Sequence, residues 1–376
     1  MSDALAGARI ALVHDWLTGM RGGERVLEVL CERFPDASLH TLLHVPGSVS
    51  PAIERHRPQT SFLQQVPGVA RLYRHLLPLY PRAIEGLDVG DADLVISTSH
   101  CAAKSVPTRP PTRHLCYCFT PVRYAWDQFD QYFGVERVGR VKSAVMRRLL
   151  DRFARWDQRT SGRPDRYVAI SQYVARRIRR YYNRRSAVVY PPVDTRYFTP
   201  GERPREGYAL VVSALVPYKR VDVAVAACRQ IGVPLRIVGQ GPEFAALSRS
   251  GGSGVAFLGA LPDSEVRELY RRAAVVLLPG EEDFGLVPVE AQACGTPVVA
   301  LGRGGATETI VDGRTGALTG EGVDALADGI RRVLEQPPEP AACRTQAERF
   351  ATDRFVKELT DAVTDLRQAA PEAVRW

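Results

Sequence analysis

The sequence contains no long hydrophobic run, although 45% of its 376 residues are hydrophobic. A helix that crosses a bilayer needs about 20 consecutive apolar residues, and no stretch approaches that length. The first residues, MSDALAGARIALVHDW, lack the basic segment and the long apolar core of a secretion signal. We therefore expect a cytoplasmic protein of ordinary globular composition, long enough for two domains.

Cysteine is scarce, and its pattern predicts neither a disulfide framework nor a zinc site. The seven cysteines are scattered and odd in number, and Cys116-Tyr117-Cys118 is too tight for a usual zinc pair. The sequence also lacks a Walker loop and a nucleophile elbow. We expect a reduced protein without a bound metal or cofactor.

Positive charge is concentrated in one segment. The whole chain carries a net charge of +8, whereas residues 137–185 hold 16 lysines and arginines against three aspartates, a net charge of +13 that leaves −5 for the rest. Within this segment VKSAVMRRLLDRFARW predicts an amphipathic helix, because apolar residues recur every three or four positions. The predicted apolar face consists of Val141, Val145, Leu149, Phe153 and Trp156.

A second basic helix is predicted in SQYVARRIRRYYN, with Ser171 as its N-cap. Two interpretations of residues 137–185 stay open. The helices could present a solvated basic face, or they could contact an anionic membrane surface or an anionic acceptor. Nucleic acid is disfavoured, because aromatic residues do not interleave the basic ones in an RNA-binding pattern. A membrane contact would place the protein at the inner face of the cell membrane.

Strands and helices alternate along the chain, which predicts an α/β fold with parallel sheets. Strand-like runs occur at 9–14, 93–98, 114–119, 166–171 and 187–191 in the first half, where a glycine loop, TGMRGG, precedes a helix predicted from Glu24 to about Phe34. After a proline-rich stretch the alternation restarts with YALVVSAL, PLRIVG, VAFLG, AAVVLLP and TPVVAL.

This pattern predicts two Rossmann-like, doubly wound domains that face each other across a cleft. We expect a first domain at 1–195, a linker at 196–206 and a second domain at 207–350. A C-terminal helix at 351–376 is expected to pack back on the first domain.

Two glutamates give the most informative motif. Glu282 and Glu290 flank a Phe-Gly-Leu loop that follows the AAVVLLP strand and precedes a helix, with Pro288 expected at the first helical position. In an open α/β sheet, ligands bind beyond the carboxyl end of a strand. Free backbone N–H groups at the helix start favour a diphosphate, and carboxylates can accept the hydroxyls of a vicinal diol. The motif indicates a nucleotide-sugar site, unless both glutamates are solvated helix-end charges.

Other candidates have simpler explanations beside the functional ones. Lys219, with Arg220 after it, lies between a strand and a helix and could neutralise phosphate, or it could be a surface lysine. Gly22 and Gly23 could allow backbone to approach a ligand, or they could form a turn. His100 follows the strand at 93–98, where a histidine is either structural or directed at a ligand.

One pair of carboxylates resembles a metal-binding pattern. Asp91-Ala92-Asp93 has the Asp-x-Asp spacing that holds a divalent cation in one class of sugar-transfer enzymes. The pair precedes a predicted strand, whereas ligand sites follow strands. We interpret it as a surface turn.

The segment from Glu282 to Glu290 with FGLVPVEAQACGTPVVA resembles the signature of retaining glycosyltransferases of family 4, which have the two-domain GT-B fold. VVSALVPYKRVD resembles the phosphate-contacting strand and helix of that family, and VYPPVD resembles the end of its first domain. WLTGMRGGERVLEVLCERFPDA and CYCFTPVRYAWD are similar to a bacterial subgroup assigned as mannosyltransferases of polysaccharide assembly. The resemblance covers nearly the whole chain.

The resemblance implies a hexosyltransferase that uses a nucleotide-diphosphate-sugar, with GDP-mannose as the best candidate, and a glycan or lipid-linked acceptor. It implies that Glu290 holds the ribose, Glu282 contacts the transferred sugar and Lys219 stabilises the leaving diphosphate. Backbone N–H groups at 284–286 (Phe284, Gly285, Leu286) would face sugar and diphosphate, and Gly22 and Gly23 would approach from the first domain. The family needs no metal.

Two positions depart from the family pattern. An arginine is usual where this chain has Ala214, and Arg220 is a candidate replacement for the missing phosphate contact. Relatives of the subgroup tend to have histidine where this chain has Phe119, and His100 is a candidate for that role. A nucleotide-sugar epimerase on the same fold and a non-catalytic protein that binds anionic surfaces remain alternative functions.

Overall fold

The computed structural model describes residue 5, residues 7–370 and residues 373–374. The chain divides into two compact units. Unit 1 combines Met1–Pro192 with Phe355–Trp376, and unit 2 is Val193–Arg354. Each unit is built on its own parallel sheet.

Unit 1 contains a seven-stranded sheet in which all neighbouring strands are parallel. The strands are β1 (Ile10–His14), β2 (Ser38–Thr41), β3 (Gln59–Thr60), β4 (Leu94–Ser99), β5 (Arg113–Cys118), β6 (Arg166–Ala169) and β7 (Ser186–Val188). Their order across the sheet is β3-β2-β1-β4-β5-β6-β7, so the order reverses between β1 and β4. The central strands are buried almost throughout, as expected for a parallel sheet covered on both faces.

Nine α-helices belong to the described part of unit 1 before its C-terminal segment. They are α1 (Gly22–Arg33), α2 (Pro51–Glu54), α3 (Val69–Leu72), α4 (Tyr80–Glu85), α5 (Arg123–Trp126), α6 (Phe129–Phe133), α7 (Val135–Val138), α8 (Arg140–Thr160) and α9 (Gln172–Tyr182). Helix α1 begins two residues earlier than the sequence predicts, so Gly22 and Gly23 lie in its first turn and not in the preceding loop.

Unit 2 contains a six-stranded parallel sheet ordered β10-β9-β8-β11-β12-β13. Its strands are β8 (Ala209–Val212), β9 (Leu235–Val238), β10 (Val255–Gly259), β11 (Val275–Leu278), β12 (Val298–Leu301) and β13 (Gly316–Thr319). Its helices are α10 (Val221–Ile231), α11 (Phe244–Gly251), α12 (Asp263–Arg272), α13 (Leu286–Ala293), α14 (Ala306–Thr309), α15 (Val323–Glu335) and α16 (Pro340–Glu348). The order reverses between β8 and β11, which is the arrangement of a nucleotide-binding Rossmann fold.

The C-terminal helix, α17 (Thr352–Gln368), packs on unit 1 from Phe355 onward. The Phe355 ring meets Tyr117 of β5 edge-to-face at 5.5 Å. Leu359, Val363 and Leu366 follow on the same buried face. The fold class predicted from the sequence, two Rossmann-like domains with a C-terminal helix, is thereby confirmed.

Helix α8 does not bury the face that the sequence predicts. Phe153 and Trp156 are buried, but Val141, Val145 and Leu149 are 80%, 53% and 38% exposed. The side chains that turn inward in the first half are Ser143 and Leu150. The predicted apolar face is therefore buried at Phe153 and Trp156 but exposed at its first three residues.

A buried polar residue explains the misassignment. Asp157 of α8 is fully buried, where its carboxylate lies 2.9 Å from Lys104 Nζ and accepts hydrogen bonds of 2.8 Å from Trp126 Nε1 and Tyr182 Oη. The inward face thus includes a charged side chain that a hydrophobic pattern assigns to solvent. Buried charges are tolerated when they are paired and hydrogen-bonded in this way.

Candidate functional site

In unit 2 the loops that follow β8 and β11 meet at the point where the strand order reverses. The first loop ends in a 3₁₀ turn, Pro217–Lys219, and the second leads from Gly280 into α13. In doubly wound sheets this crevice is the usual ligand site. The structure therefore brings the predicted lysine and glutamate motifs to the same crevice.

Lys219 Nζ forms an ion pair with Glu282 Oε1, and the two side chains are only 18% and 12% exposed. The sequence predicted separate roles for these residues and did not predict the pair. Because the two charges neutralise each other, the pair adds no net charge to the crevice. An incoming diphosphate would compete with the Glu282 carboxylate for Lys219. Partial burial strengthens such an interaction relative to one in bulk water.

Two glycines allow the loops to approach each other this closely. A Cβ on Gly280 would lie 2.4 Å from the Tyr218 carbonyl oxygen, and a Cβ on Gly305 would lie 2.3 Å from Phe284 Cα. The Gly305 N–H donates to the Glu282 carbonyl at 2.8 Å. Any larger residue at either glycine would force the backbone apart. The sequence alone did not indicate that these two glycines lie against the backbone of other loops.

Helix α13 begins at Leu286, after Gly285 with φ of +87°. Pro288 is consequently its third residue, not its first as the sequence suggested, although its missing N–H is still not needed in the first turn. The Phe284 side chain is 3% exposed and its ring packs against Phe350 at 5.4 Å. Phe284 therefore presents backbone, not a ring, to the crevice.

Glu290 lies one turn into α13 and is held by a residue that the sequence did not single out. Tyr270 of α12 donates a hydrogen bond from its hydroxyl to Glu290 Oε2 at 2.9 Å. The Tyr270 side chain is fully buried, and its carbonyl accepts from Thr296 Oγ1 at 2.6 Å. Tyr270 thereby fixes one oxygen of the carboxylate.

Arg220, the candidate for the missing phosphate contact, is paired elsewhere. It adopts a left-handed backbone conformation, with φ of +51°, at the start of α10. Its Nε and Nη2 lie 3.2 and 3.3 Å from the Asp222 carboxylate, and about half of its side chain is exposed. Arg220 would have to leave Asp222 to bind phosphate.

Unit 1 has a second polar crevice at its own reversal point, between β1 and β4. Asp15 follows β1, is fully buried, and accepts four backbone hydrogen bonds of 2.6 to 2.9 Å from the N–H groups of residues 100–103. A carboxylate bonded in this way fixes the loop after β4 and the residue at its start, His100. No sequence motif marked Asp15.

The same carboxylate sets the protonation of His100. Nδ1 of His100 lies 3.0 Å from Asp15 Oδ2, and because a carboxylate only accepts, Nδ1 carries the proton and Nε2 is left as the acceptor of the neutral ring. Burial lowers the pKa of His100 below its ordinary value, against the opposing attraction of Asp15. The ring also meets Trp16 edge-to-face at 4.4 Å. His100 is thus held neutral and oriented.

His14 and Glu24 complete the crevice of unit 1. His14 is fully buried, with Nδ1 2.7 Å from Thr98 Oγ1 and Nε2 3.9 Å from Glu24 Oε1. Burial raises the pKa of Glu24, but the interaction with His14 and the backbone hydrogen bond outweigh it and hold that pKa below its usual value. Glu24 also accepts the Arg21 N–H at 3.1 Å in the first turn of α1.

Phe119 occupies the space beside these histidines. Its ring centroid lies 6.4 Å from that of His14 and 6.3 Å from that of His100. A Cβ on Gly23 would touch Phe119 Cε2 at 3.4 Å and His14 Cε1 at 3.5 Å. Gly23 and His100 therefore share one crevice around Phe119.

Asp91 and Asp93 are placed at the opposite end of β4, where both pair with Arg9 at 3.7 and 3.2 Å. Asp91 is almost fully exposed. The pair lies at a surface turn, away from the carboxyl ends of the strands.

Two parallel sheets that each reverse strand order beside polar side chains place the chain among the two-domain α/β proteins of the Rossmann type. Residues 20–197 match the family model described as Glycosyltransferase Family 4, and residues 195–350 match the one described as Glycosyl transferases group 1. The chain belongs to these glycosyltransferases, with the GT-B fold.

Curated relatives agree with this assignment. The chain is 32% identical over 249 residues to a D-inositol 3-phosphate glycosyltransferase of Mycolicibacterium smegmatis, an alignment that covers 57% of each chain. It is 32% identical over 240 residues to a GDP-mannose-dependent alpha-(1-6)-phosphatidylinositol monomannoside mannosyltransferase of the same species, covering 53% of this chain and 63% of the relative. The match thus spans less than two thirds of either relative.

Solved structures share the fold at low sequence identity. Sucrose-phosphate synthase from Thermosynechococcus elongatus aligns with a TM-score of 0.70 at 19% identity, covering 96% of this chain and all of that one. Anabaena HepE in complex with UDP and glucose aligns with a TM-score of 0.67 at 18% identity, covering 95% and 100%. These similarities concern the fold alone.

Proposed function

We propose that the protein is a retaining glycosyltransferase that moves a hexose from a nucleotide-diphosphate-sugar to a glycan or lipid-linked acceptor, without a metal. The observation that carries the proposal is the crevice of unit 2, where a partly buried Lys219–Glu282 pair lies beside the start of α13. A cation and the N–H groups at a helix start suit a diphosphate, and carboxylates suit sugar hydroxyls.

Within unit 2 each group has a distinct role in the proposal. Glu290, held by Tyr270, accepts the ribose hydroxyls. Backbone N–H groups at 284–286 face sugar and diphosphate, and Glu282 accepts hydroxyls of the transferred hexose. Lys219 stabilises the negative charge that develops on the diphosphate as the sugar–phosphate bond breaks, which is the kind of electrostatic assistance that contributes most to many reactions.

In the proposal, unit 1 binds the molecule that accepts the sugar. Gly22 and Gly23 approach the nucleotide-sugar, and His100 offers a neutral Nε2 to a hydroxyl near the reacting carbon. The acceptor oxygen attacks from the leaving-group face, so its bond to the anomeric carbon forms as the bond to the phosphate oxygen breaks. The acceptor proton passes to the departing diphosphate, and no protein nucleophile takes part.

We further propose GDP-mannose as the nucleotide-sugar and bacterial surface polysaccharide or glycolipid assembly as the setting. The resemblance to mannosyltransferases supports mannose, and one relative is GDP-mannose-dependent by name. We also propose a cytoplasmic protein that works at the inner face of the cell membrane, where lipid-linked acceptors lie.

Transfer should be tested with purified full-length protein and radiolabelled nucleotide-sugars, in the presence of EDTA and a bacterial lipid extract as acceptor. The proposal predicts label in the acceptor, with the anomeric configuration of the sugar nucleotide retained by NMR. Conversion of the sugar nucleotide to an isomer without acceptor would indicate an epimerase instead. No binding of any nucleotide-sugar would favour a non-catalytic protein.

A further inference from the structure

Two exposed arginines lie at the edge of the unit 1 crevice. Arg21 immediately precedes α1, and Arg74 belongs to a 3₁₀ segment, Tyr73–Leu79, that follows α3. Among the described residues neither arginine forms an ion pair with a carboxylate. Many other exposed arginines of the chain do form such pairs, for example Arg147 with Asp130 at 3.2 Å. The charges of Arg21 and Arg74 are therefore not neutralised by a direct partner.

The two arginines converge on the side chain of Tyr73. The guanidinium carbon of Arg74 lies 5.4 Å from the centroid of the Tyr73 ring. Burial raises the pKa of Tyr73, but the neighbouring Thr18 and the positive charges of Arg21 and Arg74 outweigh it and hold that pKa below its ordinary value. Both cations are thus within electrostatic reach of one hydroxyl. We call Arg21, Tyr73 and Arg74 the cationic rim.

The cationic rim adjoins His100. The ring of Trp16 lies between them, with its centroid 5.5 Å from that of Tyr73 and 4.4 Å from that of His100. Burial lowers the pKa of His100, Asp15 opposes that shift, and the positive charge of Arg21 lowers the pKa further. Arg21 therefore acts on His100 as well as on Tyr73, which places the rim beside the ring that we assign to the acceptor hydroxyl.

The two carboxylates of this crevice are engaged with other groups. Asp15 is buried and accepts four backbone hydrogen bonds. Glu24 is buried, accepts the backbone N–H of Arg21 at 3.1 Å and lies 3.9 Å from His14 Nε2. The guanidinium groups of the rim therefore keep their donors for a ligand. Guanidinium is the cation that matches the oxygens of a phosphate group best, because its planar donors bind two oxygens at once.

We propose that the cationic rim binds a phosphate group of the acceptor, so that the sugar is transferred to a phosphorylated acceptor. The inference rests on the proposed function, which places the acceptor hydroxyl at His100. A phosphate group offers three oxygens to two guanidinium groups and a tyrosine hydroxyl. An uncharged acceptor would leave both arginines without a partner.

The binding test is modification of arginines by phenylglyoxal in phosphate-free buffer, measured site by site by mass spectrometry on the full-length protein. Mannose 1-phosphate at about ten times its dissociation constant leaves roughly a tenth of the sites unoccupied, so modification of Arg21 and Arg74 should slow about tenfold. Mannose at the same concentration should protect neither. Arg55 and Arg109 are internal controls, since these exposed arginines precede β3 and β5 at the edge where those strands begin.

Three results would overturn the proposal: no protection of Arg21 and Arg74 by mannose 1-phosphate, equal protection by mannose, or equal protection of all four arginines. Because the exposed guanidinium groups attract phosphate through screened charges, protection should also weaken as salt is raised. The readout requires neither a nucleotide-sugar nor transfer, so it remains valid if the proposed glycosyl transfer fails.

The phosphate can come from a sugar phosphate or from a lipid-linked sugar diphosphate. Leu72, directly before Tyr73, is 45% exposed, so a lipid chain would find an apolar contact beside the rim. Among the described residues no helix is both long and apolar enough to span a bilayer. A mannosyl diphosphate on a short prenyl chain is therefore compared with mannose 1-phosphate in the same assay. The probe that protects Arg21 and Arg74 at the lower concentration identifies the source, and protection by neither contradicts the proposal.

A double variant separates the rim from the site of the nucleotide-sugar. Arg21→Gln with Arg74→Gln should raise KM for the phosphorylated acceptor about tenfold, because two exposed charge-assisted contacts are lost. Affinity for the nucleotide-sugar, measured by calorimetry, should be unchanged. Arg55→Gln with Arg109→Gln removes the same charge and should leave both quantities as in wild type. An equal loss of nucleotide-sugar affinity in the rim variant would place these arginines at the nucleotide-sugar and overturn the proposal.

Discussion

The two units reverse strand order at the same topological point but place different side chains there. In unit 2 the crevice is charged, with a lysine paired to a glutamate and a second glutamate on α13. In unit 1 the Asp15 carboxylate accepts four backbone N–H groups, and the Glu24 carboxylate lies 3.9 Å from His14, beside a second histidine and Phe119. The same topology therefore carries a lysine–glutamate pair in one unit and histidines beside carboxylates in the other.

The contrast matches the roles that we propose for the two units. In the proposed reaction, the cation and the helix N–H groups of unit 2 bind the diphosphate. The oriented His100 of unit 1 accepts a hydrogen bond from a hydroxyl near the reacting carbon.

The largest effect is expected from the lysine of unit 2. Lys219→Met keeps the length of the side chain but removes the cation that faces the developing charge, so the transfer rate should fall about 10³-fold. The measurement is kcat with a saturating nucleotide-sugar. Lys357→Met is the control, because Lys357 is an exposed lysine that pairs with Asp361 at 2.8 Å on α17. Equal losses in both variants would contradict a special role for Lys219.

A smaller loss, confined to the chemical step, is expected in unit 1. His100→Asn removes the neutral Nε2, and kcat should fall about 100-fold, within the range of general acid–base and hydrogen-bonding side chains. Asp15→Asn should lower kcat as well and shift its pH profile, because the amide no longer sets the proton on Nδ1. If kcat is unchanged in His100→Asn, the unit 1 crevice has no part in transfer.

A tyrosine allows a single hydrogen bond to be tested. Tyr270→Phe removes the hydroxyl bonded to Glu290 and should weaken nucleotide-sugar binding about tenfold, in line with the strength of hydrogen bonds to charged groups. Tyr208→Phe is the matched control, since the Tyr208 hydroxyl donates to the Leu269 carbonyl at 2.9 Å and touches no proposed ligand group. Affinity should be measured by calorimetry; similar losses in both would assign Tyr270 a purely structural role.

The smallest expected difference between the two units is in their stability at acidic pH. All seven histidines of the chain lie in unit 1. Burial, with Lys104 and Arg163 nearby, lowers the pKa of His114 to about 3, and burial also lowers the pKa values of His100 and His40. In the unfolded chain these rings protonate near pH 6.5.

The unfolded state therefore binds more protons, and the free energy of unfolding falls as pH drops below about 6.5. His114 alone contributes a loss of about 1.4 kcal/mol per pH unit in that range. Hydrogen exchange followed peptide by peptide should show unit 1 losing protection between pH 7 and 5 before unit 2 does. Equal loss of protection in both units, or earlier loss in unit 2, would contradict the assignment of acid sensitivity to the histidines of unit 1.

Much of the fold is predictable because its central strands are long and apolar. DLVIST and HLCYCF, for example, coincide closely with β4 and β5. The strands that the sequence did not reveal, Ser38–Thr41, Gln59–Thr60 and Gly316–Thr319, are short and partly polar, and their pairing depends on neighbours far away in the chain.

The candidate site was predictable only where one local motif carries it. Glu282 and Lys219 each follow a strand and Glu290 lies in the helix after one, so their positions in the sequence marked them. Asp15 and Tyr270 act through partners 85 or more and 20 positions away, which no spacing rule connects. The exposed valines of α8 were misassigned because periodicity gives an amphipathic face but not which face the rest of the protein covers.

The central claim is that the crevice of unit 2 holds the nucleotide-sugar. Calorimetric titration of GDP-mannose and UDP-glucose into wild-type protein, Glu290→Ala and His100→Asn tests it directly. The account predicts that wild type and His100→Asn bind one of these ligands with similar affinity, whereas Glu290→Ala binds it about 100-fold more weakly, because two hydroxyls lose a charged acceptor. Unchanged affinity in Glu290→Ala, or an equal loss in His100→Asn, would contradict it.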